Sequence, residues 1–207
     1  MSIICPTVLA QNKEDFASQL SKIDFANRIQ IDVMDGIFIA NKSIELSEIK
    51  PILDKIVDLH VMYQNPQEYL AEFVRLKPSM VIVHAESNAD IPKLASDLRE
   101  HGIKTGLALL QDTSVESVSY LFPHIQHLLI FSGDLGKFGG QADLGLLVKI
   151  EQAKKLTRFL EYGWDGGANE QNVSDMAQAG VDVINVGGAI QNAENAKATY
   201  EQLVAKV

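Results

Sequence analysis

The chain has 207 residues, 46% hydrophobic and 22% charged, with 18 basic against 27 acidic side chains and a net charge of −9. That length is enough for a sizeable core, and an acidic chain without a Lys/Arg run excludes a nucleic-acid or anionic-membrane surface, so an anionic substrate has to be held locally by backbone N–H groups or one or two cations. A lone cysteine, Cys5, excludes an internal disulfide, no stretch reaches the ~20 apolar residues of a membrane span, and no leader pattern opens the chain; a cytoplasmic location is the expectation.

In chain order, residues 2–6 read as a strand ending at Pro6, and 12–23 as a helix with Phe16, Leu20 and Ile23 on one side. Residues 29–36, Ile-Gln-Ile-Asp-Val-Met-Asp-Gly, read as a buried strand that ends in carboxylates and closes at Asp35-Gly36. Strand faces alternate, which puts Gln30, Asp32 and Met34 on one face. Polar side chains on an apolar strand are costly unless paired or used, so Asp32 is the first candidate for chemistry. A loop at 35–42 leads to a short helix at 44–50 stopped by Pro51, then to a strand at 55–61 carrying His60.

Asn65-Pro66 opens a helix that runs to Leu76, with Pro at its first position. A strand at 80–84 ends in His84-Ala85-Glu86, and a helix at 89–100 stops at His101-Gly102. Strand 103–109, helix 114–121 and strand 125–131 follow. Residues 132–141, with four glycines in ten positions, form a loop before a helix at 144–155. Strand 158–164 ends at Asp165-Gly166-Gly167, helix 169–179 closes at Gly180, strand 181–186 ends at Gly187-Gly188, and helix 193–205 is last.

These are eight strand–helix units with short connections and no linker, and the strands read as continuous apolar runs, as expected when both faces are covered. The expectation is α/β: a single (β/α)8 TIM barrel over residues 1–207, with an open doubly wound sheet as the alternative. In such a barrel the C-terminal strand ends form the working face, and the polar and glycine-rich residues collect there.

Gly139-Gly140, Gly166-Gly167 and Gly187-Gly188 come from three neighbouring strand ends and suit a phosphate cup, with Lys137 at its edge; tight turns are the competing reading. Asp32 and Asp165, on strands two and seven, face each other across a small barrel. Two carboxylates on opposite sides of a carbon suit proton removal from one face and return on the other. His60 fits a metal ligand or an orienting group. His84 and Glu86 fit a structural role as well as a functional one. His101, His124 and His127 are expected on helix ends or loops in solvent, Met34 and Met62 at the mouth or in the core, and Cys5 buried.

Asp32-Val33-Met34-Asp35-Gly36, Leu59-His60-Val61-Met62 with Asn65-Pro66, Phe138-Gly139-Gly140-Gln141, Asp165-Gly166-Gly167 and Gly187-Gly188-Ala189-Ile190 together resemble, in order and spacing, the ribulose-phosphate 3-epimerases. The resemblance covers nearly the whole chain. It implies a metal-binding (β/α)8 barrel in which Asp32 and Asp165 are the catalytic pair, exchanging the C3 proton of a ketopentose 5-phosphate and so interconverting ribulose 5-phosphate and xylulose 5-phosphate. It implies a divalent metal (Zn, Mn, Fe or Co) on Asp32, His60 and Asp165, with substrate contacts from Thr7, Met34, Met62 and the glycines 139, 140, 166, 167, 187 and 188. It also implies association into a homo-oligomer.

The departures cluster at the mouth. Gln30 stands at the fourth ligand position, where the family has histidine, and an amide is a poorer ligand for such metals than imidazole. Thr7 keeps a hydroxyl where the family has serine, Ala10 loses one, Gly188 replaces the serine of the last strand end, and Trp164 replaces a smaller residue beside Asp165. A related ketose-phosphate isomerase or lyase, or a non-catalytic sugar-phosphate-binding paralogue, are the alternatives.

Overall fold

In the computed structural model, which describes residues 1–138 and 140–207, eight parallel strands close into a barrel in sequence order. They are β1 Ile3–Val8, β2 Arg28–Met34, β3 Ile56–Met62, β4 Met80–His84, β5 Lys104–Leu109, β6 His127–Phe131, β7 Glu161–Asp165 and β8 Val183–Val186. Closure is direct: Ile3 through Pro6 of β1 register with Val183 through Val186 of β8, which excludes the open sheet. The helices are α1 Lys13–Lys22, α2 Leu70–Leu76, α3 Ile91–Glu100, α4 Val115–Val118, α5 Val148–Leu156, α6 Val173–Gln178, α7 Gly188–Gln191 and α8 Ala196–Val204.

Several elements differ from the sequence expectation: the helices expected from Asn65 and from Leu144 open with 3-10 turns, Pro66–Tyr69 and Leu144–Leu147, and a short helix, Gly188–Gln191, precedes the last one. β1 runs through Pro6 to Val8, because proline's fixed φ is compatible with an extended chain and removes one donor only. The crossover between β2 and β3 holds only a 3-10 turn, Leu46–Glu48, which covers the barrel with Ile44, Leu46 and Ile49 instead of a helix face. α4 gives way at Ser119 to a 3-10 segment ending at His124, where Pro123 lacks the donor an α-helix needs.

Two apolar compartments hold the fold. The larger lies between strands and helices; Trp164 belongs to it, its Nε1 donating to Gly166 O at 2.9 Å. The smaller fills the barrel interior with Met80, Ile82, Ala108 and Leu129. Met80, Ile82 and Leu129 each contribute ~1.5–3 kcal/mol on burial. Below this plug, at the N-terminal ends of the strands, Arg28 donates to Asp58 at 2.7 Å and to both oxygens of Glu161 at 2.8 and 2.7 Å. His127, expected in solvent, is 1% exposed, because it sits on the inner face of β6; its Nδ1 lies 2.8 Å from Glu161. This end is the stabilising end of the barrel. The polar residues of the opposite end make the site.

Candidate active site

The inward face of β2 carries Gln30, Asp32 and Met34, as strand alternation requires. The parallel register sets Asp32 beside His60 of β3. Asp165 closes β7 on the other side of the mouth. The three ligand atoms offered by Asp32, His60 and Asp165 lie within 4.8 Å of one another, and all three residues are buried. His60 Nδ1 is 3.0 Å from Asp32 Oδ1 and 3.4 Å from Asp165 Oδ2. Gln30 reaches the same two oxygens from below: its Nε2 donates to Asp32 Oδ1 at 2.9 Å and to Asp165 Oδ2 at 2.6 Å.

Burial, then the neighbouring charge of Asp165, pushes Asp32 up to about 6. Burial opposes a charge on His60, yet its hydrogen bonds to Asp165 and Asp32 raise it to about 9. Burial lowers His84 to about 4 against the pull of Glu86. The carboxylates are therefore compensated by one imidazolium and one amide, and Asp32 changes charge close to neutral pH.

Asp32, His60 and Asp165 fit a divalent cation by donor type and spacing. Gln30 Oε1 is buried without a partner. Half a turn of the amide exchanges that oxygen with Nε2 and offers the cluster a fourth, weaker ligand.

A cleft of about 160 Å3 opens above this cluster. Thr7, Met62, Gly140, Gly166, Gly167, Gly187 and Gly188 line it together with Asp32, His60 and Asp165. Lys137 stands exposed at its rim. Gly139 lies outside the described residues. Met34 packs under the loop after β6: a Cβ on Gly136 would stand 2.7 Å from its Sδ. Gly166 has φ +103° and a Cβ there would meet Ser132 O at 1.3 Å, so the tight-turn requirement and the cleft position coincide in one residue. A Cβ on Gly187 would lie 2.6 Å from the Phe138 ring, which the loop after β6 lays across β8. Asp35, beside Asp32 in sequence, turns its carboxylate to the N–H groups of Ile37, Phe38 and Gln64 at 2.7–2.8 Å and shapes the loop.

The sequence reading left His84 undecided and passed over Asn185. His84 is fully buried, its Nε2 2.9 Å from His60 Nε2. Asn185, 2% exposed, lines the cleft from β8. The signal for Asn185 was available: it is a polar residue in an apolar strand that ends in two glycines, the pattern that singled out Asp32.

Residues 3–191 match the family model described as "Ribulose-phosphate 3 epimerase family". The chain is 30% identical to the ribulose-phosphate 3-epimerase of Mycobacterium bovis, covering 97% of this chain and 91% of that one. It is 29% identical to the Helicobacter pylori enzyme of the same name, over 97% and 95%. Among solved structures, 3-hexulose-6-phosphate synthase from Salmonella typhimurium superposes with a TM-score of 0.72 at 19% identity, covering 99% and 97%, a likeness of fold. With this coverage and a closed barrel carrying an Asp-His-Asp group at its mouth, the chain belongs to the ribulose-phosphate 3-epimerase family of isomerases.

Proposed function

We propose that the protein epimerises a ketopentose 5-phosphate at C3, interconverting ribulose 5-phosphate and xylulose 5-phosphate. The observation that carries this reading is the convergence of Asp32 and Asp165, from strands on opposite sides of the mouth, on one pair of donors, Gln30 Nε2 and His60 Nδ1.

The ionised member of the pair takes the proton from C3, and the electrons of that C–H bond move to form the C2–C3 double bond while the C2 carbonyl oxygen becomes anionic. The protonated member gives its proton to C3 on the other face; the C2–C3 double-bond electrons form the new C3–H bond, and an electron pair of the oxyanion restores the C2 carbonyl. Each turnover leaves the two carboxyl groups with exchanged protonation, so the pair needs one proton between them; burial and the charge of Asp165, which raise Asp32, support a proton there. His60 and Gln30 hold the two carboxylates in place. A divalent cation (Zn, Mn, Fe or Co) held by Asp32, His60 and Asp165, with Gln30 at the fourth position, supplies Lewis-acid stabilisation of the oxyanion charge when bound. Backbone N–H groups at Gly140, Gly166, Gly167, Gly187 and Gly188 receive the phosphate, and Thr7 and Met62 flank the sugar. Gly139 and Met34 remain candidate substrate contacts by family resemblance alone.

Gln30 favours a second reading, sugar-phosphate binding without turnover, because its amide compensates the carboxylates with no cation. One experiment separates the two. The protein is incubated with ribulose 5-phosphate, with and without added Zn2+, Mn2+, Fe2+ or Co2+, and 13C NMR follows the appearance of xylulose 5-phosphate. Product supports the epimerase; saturable binding of ribulose 5-phosphate with no product under any metal supports the binding protein.

A further inference from the structure

From β7 to β2 the short way round the barrel crosses β8 and β1; the long way crosses β3 to β6 and carries His60. On the short arc, Ile184 and Val186 of β8 pack in the outer core, so Asn185 between them faces inward. Thr7 of β1, beside the outward Val8, does the same, and both residues line the cleft. Each is 2% exposed. Asn185 Oδ1 and Thr7 Oγ1 are buried with no hydrogen-bond partner among the described residues. The register Trp164↔Ile184 sets Asn185 alongside Asp165, and Thr7 registers with Gln30, two residues before Asp32. The end of β1 is itself held in place, because Gln191 Nε2 donates to Thr7 O at 3.0 Å. A buried amide oxygen in an otherwise apolar strand is costly unless paired, and here only a group that enters the cleft can pair it.

We propose that Asn185 is a specificity-determining residue that binds the C4 hydroxyl of the ketopentose 5-phosphate. This rests on the epimerase reading of the cleft. The enediolate is planar at C2 and C3, and its two faces turn to Asp32 and Asp165. One edge of that plane carries the C2 and C3 oxygens; the other carries C1 and C4. The oxygen edge turns to His60, which places the carbon edge against β8 and β1. The carbon chain then rises from C1 to the phosphate. The glycines proposed to hold the phosphate include Gly187, two residues and about 6.6 Å beyond Asn185 on the same strand line. Asn185, level with Asp165, therefore meets the carbon next above C3. A hydroxyl both gives and accepts a hydrogen bond, so it pairs with the Asn185 amide whichever of its two polar atoms faces the cleft.

The test compares binding of ribulose 5-phosphate and of its 4-deoxy and 1-deoxy analogues to wild type and Asn185→Leu, by isothermal titration. Wild type is expected to bind the 4-deoxy analogue about 10–100-fold more weakly than ribulose 5-phosphate. Asn185→Leu is expected to bind those two equally, with an unchanged thermal melt, and to treat the 1-deoxy analogue as wild type does. A wild type indifferent to the C4 hydroxyl overturns the contact, as does a preference that survives in Asn185→Leu or a substitution that acts on the C1 hydroxyl instead. If the variant does not fold, the side-chain amide signal of Asn185 in 1H–15N spectra of wild type decides. It is expected to shift with ribulose 5-phosphate and not with the 4-deoxy analogue; equal shifts overturn the contact. Binding is read without turnover, so absence of xylulose 5-phosphate with the binding preference intact overturns the epimerase reading and leaves the C4 contact standing. A wild type that binds none of the three sugars overturns both.

Discussion

Gln30 donates to Asp165 at 2.6 Å across 135 residues of sequence, and the same nitrogen donates to Asp32 at 2.9 Å. A neutral amide thus joins two carboxylates that would otherwise repel each other in a buried site. This is the local reason why an acid pair can persist at the mouth of the barrel with one imidazole beside it.

Replacing that amide with the stronger ligand tests the position. Gln30→His is expected to raise affinity for Zn2+ by about tenfold or more, some 1.4 kcal/mol or above. Isothermal titration of the metal-free proteins reads it. Equal affinity for wild type and variant would remove Gln30 from the ligand position.

Asp165→Asn keeps the shape of the side chain and removes its proton chemistry. Turnover is expected to fall by about 10^2–10^4-fold, while far-UV circular dichroism and the melting temperature stay near wild type. Activity within a few-fold of wild type would sink the two-aspartate mechanism.

Acid stability should trace to the other end of the barrel. Burial alone would raise Glu161, yet Arg28 and then His127 hold its carboxyl well below the ordinary range. A depressed folded pKa stabilises the fold above the unfolded value of about 4.3 and loses that contribution as pH falls towards the folded value. Asp58, raised chiefly by burial, has the opposite sign and offsets part of the slope. The urea midpoint of wild type is expected to drop between about pH 5 and pH 3 more steeply than that of Glu161→Gln. Parallel slopes would place the acid sensitivity elsewhere.

Lys149 is 7% exposed and donates to three carbonyls. Lys149→Met leaves those acceptors unsatisfied and is expected to lower stability by about 1–3 kcal/mol. Chemical denaturation checks this; an unchanged unfolding free energy would show that solvent takes over the three acceptors.

Much of the barrel was legible because its signals are local. Mostly apolar strands of four to seven residues end in polar or glycine-rich pairs, and the units repeat without a linker. The crossover after β2 reads as a helix because Leu46 and Ile49 stand three apart before Pro51, and nothing in one sequence says that so short a segment will settle as a 3-10 turn. Asp32, His60 and Asp165 could be named because each interrupts or ends an apolar strand. The partners of Gln30, the burial of His127 and the His60–His84 contact depend on which inward side chains share a layer around the barrel. That depends on register between strands far apart in sequence, which periodicity along one strand does not reveal.

The central claim, proton exchange at C3 by the Asp32–Asp165 pair, is most directly tested by incubating the protein with ribulose 5-phosphate in D2O and following C3 by 1H NMR. Loss of the C3 proton signal together with the appearance of C3-deuterated xylulose 5-phosphate, both abolished in Asp165→Asn, is the predicted result. A C3 signal that persists at full intensity, with every divalent metal tried, would contradict it.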